Sequence, residues 1–174
     1  MKKKQKVDCL IAVIFMMIAV LYLLFPLYHI SNLKQINIIM FSIMSVVSLG
    51  QFLINYKTKD YTGLFNFFAC LIFVIFMIVF DISKPKILST CILLWVALEA
   101  FIKFNKSDYY NDRRDRMWKI SVIMLATFII SGILTSINLK YSEEVRVVVM
   151  GFFLFINSVL ELVDPIVKYL ITRS

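Results

Sequence analysis

The chain has 174 residues, of which 61% are hydrophobic and only 17% charged, and it carries a formal net charge of +8. Soluble domains carry roughly a quarter charged residues, and one core of this size cannot hide so much apolar side chain, so the composition calls for a bilayer. The basic excess sits in short gaps between apolar runs and not on one face of a folded domain. That excludes nucleic acid as a partner and assigns the lysines and arginines to orientation and to anionic headgroups.

In chain order, the first run without Lys, Arg, Asp or Glu is Cys9–Leu33, preceded by Lys2, Lys3, Lys4 and Lys6. This basic start imitates a secretory signal. Its apolar run is too long for one, and Phe25-Pro26-Leu27-Tyr28 is too bulky for a small-x-small cleavage site, so it reads as an uncleaved first helix. His29, the only histidine, falls at the outer boundary of this span. Imidazole titrates near about pH 6.5, but a lone interfacial histidine reads first as a polar anchor. Gln35–Tyr56, Tyr61–Phe80 and Ile120–Leu139 are equally free of charge and meet the requirement of about 20 apolar residues per span. Ile87–Ile102 and Val147–Val163 each carry one glutamate near one end, Glu99 and Glu161. The expectation is six transmembrane helices in one domain over residues 1–174, an all-α polytopic protein. No alternating pattern supports a barrel.

The gaps set the topology. Outer turns are predicted at His29–Gln35, Asp81–Lys86 and Asn138–Arg146, and inner connections at Asn55–Thr62 and Lys103–Lys119. The short outer turns predict three antiparallel hairpins, near residues 8–56, 61–104 and 118–170. With the N-terminus inside, fourteen of the 19 basic residues fall on the inner side, and Lys34, Lys84, Lys86, Lys140 and Arg146 on the outer. By the positive-inside rule both termini are cytoplasmic, in the cell (inner) membrane. Pro26, Pro85 and Pro165 all lie near span ends, so no broken mid-membrane helix of the transporter kind is predicted.

The second helices of the hairpins align without gaps as Ile43–Phe52, Leu93–Ile102 and Gly151–Leu160, with Gly50, Ala100 and Ser158 in register. A period of about 50 residues suggests assembly by duplication. Asp81-Ile82-Ser83-Lys84-Pro85, then Trp95-Val96-Ala97-Leu98-Glu99-Ala100-Phe101-Ile102, and later Trp118 with Ser131-Gly132-Ile133-Leu134 resemble the repeated hairpin of the HdeD-like acid-resistance membrane proteins. Ala100 and Ser158 stand where that family often has glycine. The resemblance implies a six-helix bundle and a role in acid or general stress tolerance.

Polar side chains inside spans are the remaining candidates. Glu99, with Lys103 at i+4, reads first as a carboxylate snorkelling to the inner interface beside its lysine. Proton or ion handling is the sharper alternative, and Glu161, close to Asp164, reads the same way. Asn157 and Gln51, with Asn37 and Asn66, suit hydrogen bonds between helices. Gly50, Ala100 and Ser158, together with Thr127, Ser131, Gly132 and Thr135, are expected at close helix approaches. The loop Tyr109–Arg116 reads as a solvated connector. Cys9, Cys70 and Cys91 are an odd set without CxxC spacing, so neither a disulfide framework nor a thiolate metal site is expected. No zinc, nucleophile-elbow or phosphate-loop motif is present, so the expectation is a non-enzymatic protein without cofactor or metal. Two rivals remain beside the stress-tolerance reading. One is a small channel or transporter subunit with Glu99, Asn157 and Gln51 lining an inner vestibule. The other is an immunity or accessory protein packed on a membrane partner or on its own copies.

Overall fold

The computed structural model describes residues 3–28, 32–58 and 60–171. Among them run six α-helices and no strand: α1 Lys3–Leu24, α2 Leu33–Asn55, α3 Thr62–Val79, α4 Pro85–Asp112, α5 Met117–Asn138 and α6 Glu143–Ile171. Short 3₁₀ turns extend α1 over Phe25–Tyr28 and α2 over Tyr56–Thr58. All six helices are long and apolar enough to cross a membrane, and the chain is an all-α polytopic membrane protein. Helices satisfy every backbone group internally, which hydrocarbon demands. His29 lies outside the described residues, as do Lys2, Lys59 and Arg173.

The helix ends follow local chemistry. Asn32 caps α2 by accepting from the Gln35 amide at 3.1 Å, and ahead of α3 Asp60 accepts from the Thr62 amide and hydroxyl at 3.1 and 2.7 Å. Pro85 opens α4 at its first position, where a missing N–H costs nothing. Two helices outrun their apolar stretches. α4 continues through Lys103, Lys106 and Tyr110 to Asp112, so the expected connector Lys103–Lys119 shrinks to residues 113–116. Tyr110 is buried, not solvated. α6 likewise runs on past Pro165, which sits inside its last turns.

The helices form a closed ring in chain order, each packing on its sequence neighbours, with α6 closing against α1. Packing is most extensive in three pairs: α1 with α6, α2 with α3, and α4 with α5. Each pair has one glycine at its crossing. A Cβ on Gly63 would stand 2.7 Å from the Ser48 carbonyl oxygen of α2; one on Gly132 would stand 2.7 Å from Val96 of α4; one on Gly151 would stand 2.8 Å from Leu23 of α1. Without a hydrophobic drive between helices in lipid, such close backbone approach is what holds them together. Gly50, expected at a close approach, is the exception, for a Cβ there meets nothing within 4 Å. Its register partners have different surroundings, Ala100 half-buried against the core and Ser158 fully buried, with its hydroxyl donating to the Leu154 carbonyl.

At the centre of the ring Trp95 of α4 is buried among Phe41 of α2, Phe73 of α3, Phe128 of α5 and Phe153 of α6, at centroid distances of 5.2, 6.0, 6.2 and 5.6 Å. The contacts to Phe41, Phe128 and Phe153 are edge-to-face, the arrangement ring quadrupoles prefer. This aromatic layer divides the bundle. The N-terminal end below it differs sharply from the end above it.

Candidate functional site

Below the aromatic layer the helices splay into a cavity of about 770 Å³ between α1, α2, α3, α4 and α6. Such a volume falls in the range of small-molecule sites, roughly 300–1,000 Å³. The lining is unusual for a membrane bundle, with Lys4, Lys106 and Lys168 facing Asp8, Asp60, Glu161 and Asp164 among tyrosines, phenylalanines and amides. Extending the helices beyond the apolar stretches brings these groups together. α1 begins at Lys3, which places Lys4 and Asp8 on its first two turns. The overrun of α4 and α6 adds Lys106, Tyr110, Asp164 and Lys168.

Most of the ions pair across helices. The Lys4 ammonium reaches Asp60 at 2.5 Å, tying α1 to the start of α3, and Lys106 reaches Asp164 at 2.7 Å, tying α4 to α6. Lys103 pairs with Glu161 of α6, with its ammonium 5.0 Å from the Phe128 ring centroid. The Lys168 ammonium donates to the Tyr110 hydroxyl at 3.3 Å. Burial pushes the Asp60 carboxyl up, but the Lys4 ammonium and the Thr62 donors outweigh it and hold the carboxyl below its ordinary range. Asp8 has no cation in contact, and Lys4 and Lys106 act on it only from a distance. Its Oδ1 accepts from Gln51 Nε2 at 2.8 Å and from Asn55 Nδ2 at 3.3 Å, both on α2.

A smaller pocket of about 30 Å³ adjoins this cavity, sharing Thr62, Asn66, Ile102, Lys106, Glu161 and Asp164 with it, and is floored by Glu99. Glu99 is only 4% exposed and does not snorkel beside Lys103, which goes to Glu161 instead. Of the polar trio expected to line a vestibule, Gln51 lines the large cavity and Glu99 the small one. Asn157 lines neither; it is buried within the bundle with its carbonyl oxygen unpartnered. On α5, Gly132 and Thr135 are buried, Ser131 is half-buried, and Thr127 points outward with its hydroxyl bonded to the Ile123 carbonyl of its own helix. Thr127 therefore takes no part in a helix crossing. Ser136 joins the seam instead, its hydroxyl 2.6 Å from that of Ser89 on α4.

Sequence reasoning did not single out Lys4, Asp8, Asp60, Lys106 or Asp164 as site residues, and read Lys4 and Lys106 as orienting charge. The usable signal was Lys4 and Asp8 at i,i+4 on the first turns of a span, a spacing that puts both on one helix face. Beyond the aromatic layer a third pocket, of about 380 Å³, lies against Asn32, Lys34, Ser83 and Glu143 and shares no residue with the other two. Arg146 closes the structure there, donating to the Tyr141 and Ser83 carbonyls at 2.9 and 3.1 Å. Comparison with protein-family models, curated proteins and solved structures finds no match for this chain.

Proposed function

We propose that this membrane protein is non-enzymatic and admits a small solute from the cytoplasm into the cavity at its N-terminal end, as a small transporter or a subunit of one. The observation that carries this reading is the 770 Å³ cavity, lined by ions and amides, in a bundle whose centre is packed by the aromatic layer around Trp95. Polar and ionised groups inside membrane bundles are costly and concentrate where solutes or ions are handled. The excess of basic residues at the N-terminal end supports cytoplasmic termini in the cell membrane. A role in acid or stress tolerance has its support in the HdeD-like resemblance of the sequence. The cavity's carboxylates are taken up by lysines and amides, which supports a binding site over a reaction centre.

The test is native mass spectrometry of protein extracted directly into lipid nanodiscs. A small molecule should accompany the native protein and be reduced in Asn105→Trp, since Asn105 lines the cavity and a tryptophan there narrows it. Vesicles loaded with that molecule should then exchange it only when the native protein is present. The same small-molecule content in both proteins, or none in either, would contradict the reading.

A further inference from the structure

We propose that the solute is an organic cation, an ammonium group on an apolar or aromatic body, whose charge rests against Asp8. The proposal builds on the solute-binding reading of the cavity and adds the chemical class. Three of the cavity's four carboxylates already hold a lysine: Asp60 with Lys4, Asp164 with Lys106, and Glu161 with Lys103. Among the described residues Asp8 alone of the four has no lysine or arginine nitrogen within 4.0 Å. Its two amide donors both fall on Oδ1, which leaves Oδ2 without a donor among the described residues.

A second observation points the same way. Asn66 lines both the large and the small pocket, is 8% exposed, and its carbonyl oxygen has no partner. The lining thus holds two acceptors without a donor among the described residues, Asp8 Oδ2 and Asn66 Oδ1. An ammonium brings up to three donors and a positive charge, and no acceptor. Phe15, Tyr61, Phe65 and Phe101 line the same space and give it aromatic surface for the body of such a cation. An anion fits poorly, because Lys4 and Lys106 are engaged by carboxylates and Lys168 by Tyr110. A metal ion fits poorly as well, since no three His, Cys, Asp or Glu residues among those described come together to hold one.

The experiment is equilibrium dialysis of the native protein in nanodiscs, with empty discs subtracted, against three probes that share a phenyl tail: 2-phenylethylammonium, 2-phenylethanol and 3-phenylpropanoate. The ammonium should bind about tenfold or more tighter than either of the others, as expected for one hydrogen bond to a charged group. Asp8→Asn should lose that advantage while leaving phenylethanol unchanged, and Asp8→Glu should keep it. The comparison of the three probes on the native protein stands even where a variant folds poorly. Equal or tighter binding of the alcohol or the carboxylate, reduced by Asn105→Trp, would reject the cation and keep the solute-binding reading. Binding of none of the three, with no co-purifying small molecule, would overturn both.

Discussion

Lys103 has a glutamate within reach in two directions, Glu99 one turn earlier on its own helix and Glu161 across on α6, and its ammonium goes to Glu161. An i,i+4 pair on a helix surface is worth about 0.3–0.5 kcal/mol. The cross-helix pair gains more because it is largely withdrawn from water, and the Phe128 ring lies under the ammonium. Removing the lysine alone takes from Glu161 the one ammonium in contact with it. Lys103→Met should therefore destabilise by about 2–4 kcal/mol, while Lys103→Met with Glu161→Leu should recover most of that loss. Thermal unfolding of the two variants in nanodiscs checks this; equal losses in both would mean that the pair carries little.

The Lys4–Asp60 contact behaves differently, since Lys4 is substantially exposed and the pair is worth at most about 0.5 kcal/mol. The Asp60 carboxyl is held below its ordinary value of 3.8 in the folded protein. The stability it adds is fully present above that value and is lost as pH falls through the lower folded one. The difference between native protein and Asp60→Asn should stay constant from pH 7 down to about pH 4 and close below that. A difference that fades between pH 6 and 5 would contradict this assignment. Asp60 is for the same reason unsuited to sensing mild acid.

At the scale of the helices, the three glycine crossings rank by what a methyl group would meet. At Gly63 it meets backbone, the Ser48 oxygen at 2.7 Å and the Phe52 nitrogen at 2.8 Å, which cannot turn aside. At Gly151 the nearest atom is the Leu23 Cδ2, the far end of a flexible side chain, though the Leu23 backbone nitrogen follows at 3.2 Å. Gly63→Ala should cost most, about 2–4 kcal/mol, with Gly132→Ala and Gly151→Ala below it. Gly50→Ala meets nothing and should be neutral or gain up to about 1 kcal/mol from helix propensity. Thermal melts of the four variants give the order directly. The helices were legible in the sequence as charge-free runs, because hydropathy records what lipid tolerates. The ends of α4 and α6 were not. Lys103, Lys106 and Asp164 end a hydropathy window without ending a helix, since lysine is a good helix former and both chains go on to pair with each other. The close crossings were legible only in part. Gly132 stands out in the sequence by its small neighbours, whereas Gly63 and Gly151 sit among phenylalanines with no small-xxx-small pattern around them.

At the scale of the whole molecule, the ring closes through α1 and α6, the pair most distant in sequence, and nothing local announces that pairing. The cavity depends on it. Asp8 and Lys4 on α1 reach Gln51, Asn55 and Asp60 on one side and lie across from the α6 wall of Glu161, Asp164 and Lys168 on the other. Gln51 and Glu161 stand out in the sequence as separate polar residues within spans, and only the closed ring joins them with Lys4, Asp8 and Asp60 in one lining. The central claim is that this lining opens to one face of the membrane and stops at the Trp95 layer. It is tested most directly by cysteine accessibility in a background with Cys9, Cys70 and Cys91 replaced. Gln51→Cys, within the cavity, should react with a membrane-impermeant thiol reagent in inverted vesicles and be protected in intact cells. Val96→Cys, beside Trp95 and 4% exposed, should stay unreacted in both. Labelling of position 51 from both faces, or of position 96 from either, would contradict a sealed, one-sided cavity.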